Sequence, residues 1–188
     1  MNVFYFEWEY NLLMWFQSIR NTFLDFIMPK ISFLGNSGWF WIVTALALLI
    51  FTKKDKRIGW QACLSLVVSV VVCNIILKHA VDRARPCDIW TEVETIVSRP
   101  SDASFPSGHT NASFAVATAI FTRNKKWGIA ALIIALLIGI SRMYLFMHFP
   151  TDVLCGALNG VIWGILSYYF VNWFFKKTGK PVDTLKIF

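Results

Sequence analysis

The stretch at 129–140, IAALIIALLIGI, holds no charged side chain, and together with LSLVVSVVV at 64–72 it decides what kind of chain this is. Outward from these two, apolar runs fall near 35–52, 59–79, 107–122, 127–147 and 153–175. A spanning helix needs roughly 20 mostly apolar residues, so each run is a candidate to cross a bilayer. Hydrophobic residues make up 56% of the 188-residue chain and charged ones 15%, a balance foreign to water-soluble domains. The sequence therefore predicts an all-α fold, a polytopic membrane helix bundle of five to six spanning helices. The run at 107–122 carries Thr, Ser and Asn, so it is expected to face other helices rather than lipid.

Residues 1–34 read differently. They mix Phe, Trp, Leu and Ile with Glu7, Glu9, Arg20, Asp25 and Lys30, and Pro29 is expected to break any single helix near its end. An amphipathic segment lying in the membrane interface fits this mixture, with a sixth spanning helix as the alternative. No cationic start followed by a short apolar core marks a cleaved signal peptide. The expected organisation is an N-terminal segment 1–34, a transmembrane bundle 35–175 with its functional core at 59–175, and a cytoplasmic tail 176–188.

A net charge of +7 raises the question of a nucleic-acid partner, but its distribution answers no. Basic clusters stand at Lys53-Lys54-Asp55-Lys56-Arg57, at Arg123-Asn124-Lys125-Lys126 and at Lys176-Lys177. Alternation of the five runs puts all three on one side, which the positive-inside rule makes the cytoplasm of a plasma-membrane protein. Residues 80–106 and the junction at 143–152 then face outward. Cys63, Cys73 and Cys155 fall within apolar runs and Cys87 stands alone in the outer loop, so no disulfide framework is implied.

Those outward segments carry the chemistry. Lys78, Arg85 and Arg142 stand at or near helix ends on the side that orientation alone depletes of cations. Each taken singly would be a cation reaching for headgroups, and Asp82 and Asp88 are available to pair with Arg83 or Arg85. In FPSGHT, 105–110, Pro106 suits the first turn of a helix. Ser107 and Gly108 then present backbone N–H groups at the positive end of the helix dipole, where anions bind, and His109 hangs over the same place. In SRMYLFMHFPTD, 141–152, the proline disfavours a helix through His148. A new helix is expected near Pro150, with Asp152 in its first turn. That carboxylate either caps the helix or reaches back to His148, fixing one ring nitrogen as a donor and freeing the other for attack.

Phosphoryl transfer asks for this set, since its transition state spreads negative charge over three oxygens that need cations and backbone donors around them. Two histidines with ordinary pKa values near about 6.5 suit nucleophilic and proton-transfer roles close to neutral pH. His109, His148 and Asp152 also make a two-histidine, one-carboxylate set. A dication among Lys78, Arg85 and Arg142 would be repelled, however, so no metal and no cofactor is expected.

Three ordered motifs now stand out: Lys78 followed after six residues by Arg85-Pro86; Pro106-Ser107-Gly108-His109; and Ser141-Arg142, five residues, His148, three residues, Asp152. In them the chain resembles the type 2 phosphatidic acid phosphatases, the lipid phosphate phosphatases that share a core with bacterial acid phosphatases and vanadium haloperoxidases. The resemblance implies that His148 is the nucleophile of a phosphohistidine intermediate, that Asp152 orients it, and that His109 protonates the leaving oxygen. Lys78, Arg85, Ser107, Gly108 and Arg142 are implied as the phosphate cradle, without a metal. The expected partner is a membrane lipid substrate in the lipid bilayer, such as undecaprenyl diphosphate, phosphatidate or phosphatidylglycerol phosphate. The rival class is a lipid-phosphate binding or transport protein that uses the same pocket without turnover.

Overall fold

The computed structural model describes residues 1–52 and 55–179. Lys53, Lys54 and residues 180–188 lie outside the described residues, and with them part of one basic cluster and most of the expected tail. The described chain is helical: α1 (Glu7–Ser18), α2 (Thr22–Phe33), a 3-10 turn (Asn36–Gly38), α3 (Trp39–Phe51), α4 (Arg57–Val71), a π-helical turn (Val72–Leu77), α5 (Lys78–Val81), α6 (Pro86–Ile89), α7 (Gly108–Arg123), α8 (Lys125–Tyr144) and α9 (Pro150–Lys177). The one β-type pairing among the described residues is a parallel bridge between Asn2 and Arg83.

The five apolar runs become helices with nearly the expected bounds, but not all are full crossings by length. Three helical stretches, Arg57–Val81, Lys125–Tyr144 and Pro150–Lys177, are long and apolar enough to span a membrane. A fourth is reached if the pair Thr22–Phe33 and Asn36–Phe51, bent by 45°, counts as one span. The run at 107–122 forms α7, whose 16 residues rise only about 24 Å against a hydrocarbon core of about 30 Å. α2 also departs from expectation. It runs through Pro29 to Phe33, since a proline within a helix removes only its own bond to the carbonyl four residues back and crowds that turn without having to end the helix.

α7 is the centre of the bundle. Its Thr110, Asn111, Ser113 and Thr118 are buried along with its alanines, as its polar content predicts for a helix surrounded by other helices. Gly156, Gly160 and Gly164 of α9, four residues apart, lie against it. A Cβ at Gly156 would stand 2.6 Å from the Ser107 carbonyl oxygen, one at Gly160 2.5 Å from that of Asn111, and one at Gly164 2.6 Å from Thr118 Cβ. Small residues at this spacing let two membrane helices touch backbone to backbone.

The helix ends sort by chemistry. Gln61 of α4, Arg123 of α7 and Asn172 of α9 meet at one end, where Arg123 donates from Nε to Gln61 Oε1 at 2.7 Å and from Nη2 to Asn172 Oδ1 at 2.8 Å. Arg57 pairs there with Asp55 at 2.7 Å. At the far end of the same helices lie Lys78, Gly108, His109 and Asp152, so the three motifs converge on one face, as the alternation of spans requires.

Substituting Gly160 by Ala is expected to cost about 1–3 kcal/mol through overpacking against rigid backbone. Thermal unfolding in detergent would show it as a lowered midpoint, whereas the same change at Gly179, which has nothing within 4 Å of a Cβ but a positive φ, tests backbone strain alone.

Candidate active site

A cavity of about 400 Å³ opens at the motif end and is lined by Lys78, Arg85, Gly108, His109, Arg142 and His148, with Asn74 and Asp102 between them. Away from the cations its wall turns apolar, formed by Ile42 of α3, Leu66, Val67 and Val70 of α4 and Ala112 of α7. Six of the eight expected site residues therefore share one cavity.

His148 sits in the turn between α8 and α9, 1% exposed. Its Nε2 lies 3.1 Å from Arg85 Nη1. A guanidinium can only donate, so Nε2 carries the lone pair and the ring proton is on Nδ1. Nδ1 faces Ser104 Oγ at 3.4 Å, while Asp152 Oδ2 is 3.7 Å away. Ser104 in turn donates to Asp152 Oδ2 at 2.5 Å. The expected carboxylate–imidazole pairing is thus relayed through a serine hydroxyl, and nothing in the sequence beyond one more small polar residue before the PSGH motif pointed to Ser104. Burial first, then the charges of Arg85, Arg142 and Lys78, push the His148 imidazole well below its ordinary value of 6.5; both factors disfavour adding a proton to a group already among cations.

Asp152 stands in the first turn of α9, as expected, behind His148 rather than in the cavity wall. It caps the helix by accepting from the Phe149 N–H at 2.8 Å, and its other oxygen accepts from Arg83 Nη1 at 2.7 Å. Of the two sequence readings of this residue, the cap is formed directly, while the link to His148 runs through Ser104.

The cations differ in how they are satisfied. Arg85 donates to the Met147 carbonyl at 2.8 Å, to the Asp102 carbonyl at 2.9 Å and to the Asp102 carboxylate at 2.7 Å. Lys78 pairs with the other oxygen of that carboxylate. Burial alone would raise the pKa of Asp102, but Lys78 and Arg85 outweigh it and hold the group below the usual carboxylate range. Arg142, 4% exposed, donates from Nη1 to Ser32 Oγ at 2.7 Å, and its Nε has no acceptor. A buried guanidinium without a carboxylate among the described residues is the group best prepared to meet an anion.

The carboxylate partners are not the expected ones. Asp82 pairs with the amino group of Met1 at 3.2 Å, Arg83 with Glu9 and Asp152 at 2.8 and 2.7 Å, and Arg85 with Asp102. The left-handed backbone at Asp82 (φ 46°) ends α5 and turns the next residues inward, away from their sequence neighbours.

The helix start at PSGH is also rearranged. α7 begins at Gly108 with Ser107 as its cap, so Pro106 precedes the first turn instead of occupying it. Ser107 spends its N–H on the Asp152 carbonyl at 3.0 Å, and its hydroxyl accepts from Thr110 Oγ1 at 3.0 Å. It therefore joins α7 to α9 rather than lining the cavity, and Gly108 is the member of the pair at the cavity wall. His109 Nε2 lies 2.8 Å from Asn36 Oδ1; an amide oxygen only accepts, so this nitrogen carries a proton. Gly35 is packed beneath the ring, where a Cβ would come within 2.7 Å of Cδ2. Among the described residues no group of three or more His, Cys, Asp or Glu stands together as a metal site would require.

A helical membrane bundle that holds two histidines over a buried cationic cavity with an apolar limb is, by class, a membrane lipid phosphatase. The chain belongs to the PAP2 superfamily, whose family model matches residues 58–176. It is 31% identical over 153 residues to undecaprenyl-diphosphatase BcrC of Bacillus subtilis, covering 81% of this chain and 78% of that protein. To phosphatidylglycerophosphatase B of the same organism it is 33% identical over 174 residues, covering 85% and 79%. The crystal structure of Aquifex aeolicus LpxE superposes with a TM-score of 0.75 at 30% identity, covering 87% of this chain and 96% of that one.

Replacing Arg142 by Lys is expected to lower kcat/KM about tenfold or more, because a point charge cannot present two parallel N–H donors to two phosphate oxygens. Steady-state kinetics checks this, and unchanged kinetics would remove Arg142 from substrate contact.

Proposed function

We propose that this phosphatase removes a phosphate from a lipid phosphate or diphosphate, undecaprenyl diphosphate or a glycerophospholipid phosphate, through a phosphohistidine on His148. The observation that carries the reading is the lone pair of His148 Nε2, turned into the cationic cavity while Nδ1 is tied back through Ser104 to Asp152. The substrate names draw on the relatives; the apolar limb supports a lipid of either kind. Ile42 and Val67 on that limb are 43% and 60% exposed, which opens the cavity sideways between α3 and α4, the direction from which a lipid tail would enter.

In the proposed reaction Nε2 attacks phosphorus, and the bond to the leaving oxygen breaks as His109 gives that oxygen its Nε2 proton. Lys78, Arg85, Arg142 and the Gly108 N–H take up the charge on the three equatorial oxygens. Water then attacks the phosphohistidine while His109 recovers a proton, releasing inorganic phosphate and neutral His148. No step calls for a metal. With α7 and the bent α2–α3 pair counted as crossings, the described residues make five passes, and the basic ends of α4, α7, α8 and α9 support a reading with the cavity on the extracytoplasmic side of the plasma membrane.

The test is phosphate release by the detergent-solubilised protein from undecaprenyl diphosphate, phosphatidate, phosphatidylglycerol phosphate and diacylglycerol diphosphate, with and without EDTA, beside His148→Ala. EDTA-resistant release that the variant abolishes is expected, and the order of rates identifies the substrate. Lipid binding without release from any of them would make the chain a binding protein.

The pH profile follows from the depressed His148. Its attacking form is neutral, and a lowered pKa keeps it neutral into acid, so the acid limb of kcat/KM is expected below the ordinary histidine value of 6.5. Initial rates between about pH 4.5 and 9 check this. An acid limb above 7 would contradict the buried cationic surroundings of His148.

A further inference from the structure

A buried charge network stands behind the third motif, and two of its three members, Glu9 and Arg83, belong to none of the three motifs. Arg83 is 1% exposed, and Glu9 and Asp152 on either side of it are 0% exposed. Arg83 donates to the Phe4 carbonyl at 3.0 Å, to Thr151 Oγ1 at 2.8 Å, to Asp152 Oδ1 at 2.7 Å and to Glu9 Oε2 at 2.8 Å. Its guanidinium lies over the Phe149 ring at 3.9 Å. Glu9 accepts in addition from the Phe6 N–H at 2.9 Å, the Thr151 hydroxyl at 2.6 Å and the Thr151 N–H at 3.2 Å. Every partner on the α9 side of this network, Phe149, Thr151 and Asp152, lies within four residues of His148 in the chain.

From this geometry we infer that Glu9 and Arg83 are positioning residues for the phosphatase reaction, fixing Asp152 and supplying the net negative charge that orients His148. The inference rests on the phosphohistidine reading above. The charge argument has three steps. Asp152 alone would offer His148 one negative charge through Ser104. Arg83, in direct contact with it, would cancel that charge. Glu9, bonded to the far side of the same guanidinium, returns the triplet to a net charge of one negative, at a distance where burial keeps the interaction from being screened. Without Glu9 the carboxylate behind the nucleophile would be held but electrically spent.

The surroundings of His148 make the sign of this contribution matter. Arg85 contacts its Nε2, and Lys78, Arg142 and His109 bear on it from the cavity, with Asp102 and the Asp152 triplet as the opposing carboxylates. Arg85, on the cavity side, favours the Nδ1–H tautomer only by donating to Nε2; the acceptor for that Nδ1 proton is supplied by the Ser104–Asp152 arm. Weakening that arm should free the ring to take the other tautomer or turn, and a ring with its proton on Nε2 has no lone pair for phosphorus. The N-terminal segment is fastened for the purpose: Asn2 donates to the Asp82 carbonyl at 2.6 Å and accepts from the Ala84 N–H at 2.9 Å, bracketing Arg83.

The experiment compares full-length wild type, Glu9→Gln, Arg83→Met, the double variant and His148→Ala, measuring kcat, KM and thermal midpoint in detergent with the best lipid of the panel. In parallel, 15N spectra of histidine-labelled protein report the His148 tautomer, its signal assigned by its loss in His148→Ala. Glu9→Gln keeps the side-chain shape and removes one charge. We expect kcat to fall about tenfold or more with KM changed less than about twofold, since the interaction serves the attacking group and not ground-state binding. The Nδ1–H tautomer that dominates the wild type should become mixed. Because the net charge of the triplet goes from one negative to zero in Glu9→Gln and to two negatives in Arg83→Met, while the double variant returns it to one negative, the loss in the double variant should be smaller than the product of the two single losses. Wild-type kcat and tautomer in folded Glu9→Gln would overturn the inference, as would single losses that simply multiply or that track only the thermal midpoint. Turnover surviving in His148→Ala would instead overturn the phosphohistidine reading, which separates the two failures.

Discussion

Everything at the active face depends on how closely α7 and α9 approach. Helices carrying ordinary side chains at their contact keep their axes about 8–10 Å apart, and the glycines at 156, 160 and 164 bring these two to backbone contact. At the top of that contact the Ser107 N–H bonds the Asp152 carbonyl, so the start of one helix is stitched to the start of the other. His109 follows Ser107 by two residues and His148 precedes Asp152 by four. The distance between His109 and His148 is therefore set by glycine packing lower in the bundle. A pair of leucines at 156 and 160 would leave all three motifs intact in the sequence and pull the site apart.

Gathering cations in an apolar bundle carries a desolvation cost that pairing has to offset. The protein divides the work. Asp102 faces Lys78 and Arg85 across the cavity and is itself 54% exposed on its side chain, so it is a partner that solvent can reach. The Glu9–Arg83–Asp152 triplet is closed off from solvent and satisfied on every side. Arg142 is left between these two, with a serine for a neighbour. The arrangement keeps His148 neutral, which is the state a nucleophile needs, without a neighbouring base that would itself have to be deprotonated inside a cationic cavity.

The membrane class, the alternation of helix directions and the meeting of Lys78, Arg85, Gly108, His109, Arg142, His148 and Asp152 at one end were all readable from the sequence. Runs of apolar residues and the Pro breaks at 106 and 150 are local signals, and parity carries them into three dimensions without further knowledge. What escaped was set by contacts between distant segments. Ser104 is one small polar residue among several, and only the folded turn puts its hydroxyl between Asp152 and His148. Asp82 and Asp88 were the partners the sequence offered Arg85; Asp102, seventeen residues on, meets it only because the left-handed turn at Asp82 and the course of the 90–104 loop bring the two together. Ser107 was misread because its N–H, free in an isolated helix start, finds a carbonyl on a neighbouring helix. The four-residue spacing of Gly156, Gly160 and Gly164 was visible, and it is the signal that would have revealed the α7–α9 contact.

The N-terminal region changes meaning in this light. The family match begins at residue 58, and all three motifs lie after it. Yet both histidines of the cavity lean on something before residue 40. His148 is held through Asp152 and Arg83 to Glu9 on α1, and His109 is held by Asn36 and packed on Gly35 in the bend between α2 and α3. Arg142 finds its one named side-chain partner in Ser32 at the end of α2. An interfacial segment whose only task was to lie on the membrane would have no reason to bury a glutamate completely or to bend by 45° at a histidine. The motifs supply the histidines and cations of the cavity; the segment ahead of the family match supplies contacts that hold them, from the turn at 35–38 and the buried face of α1.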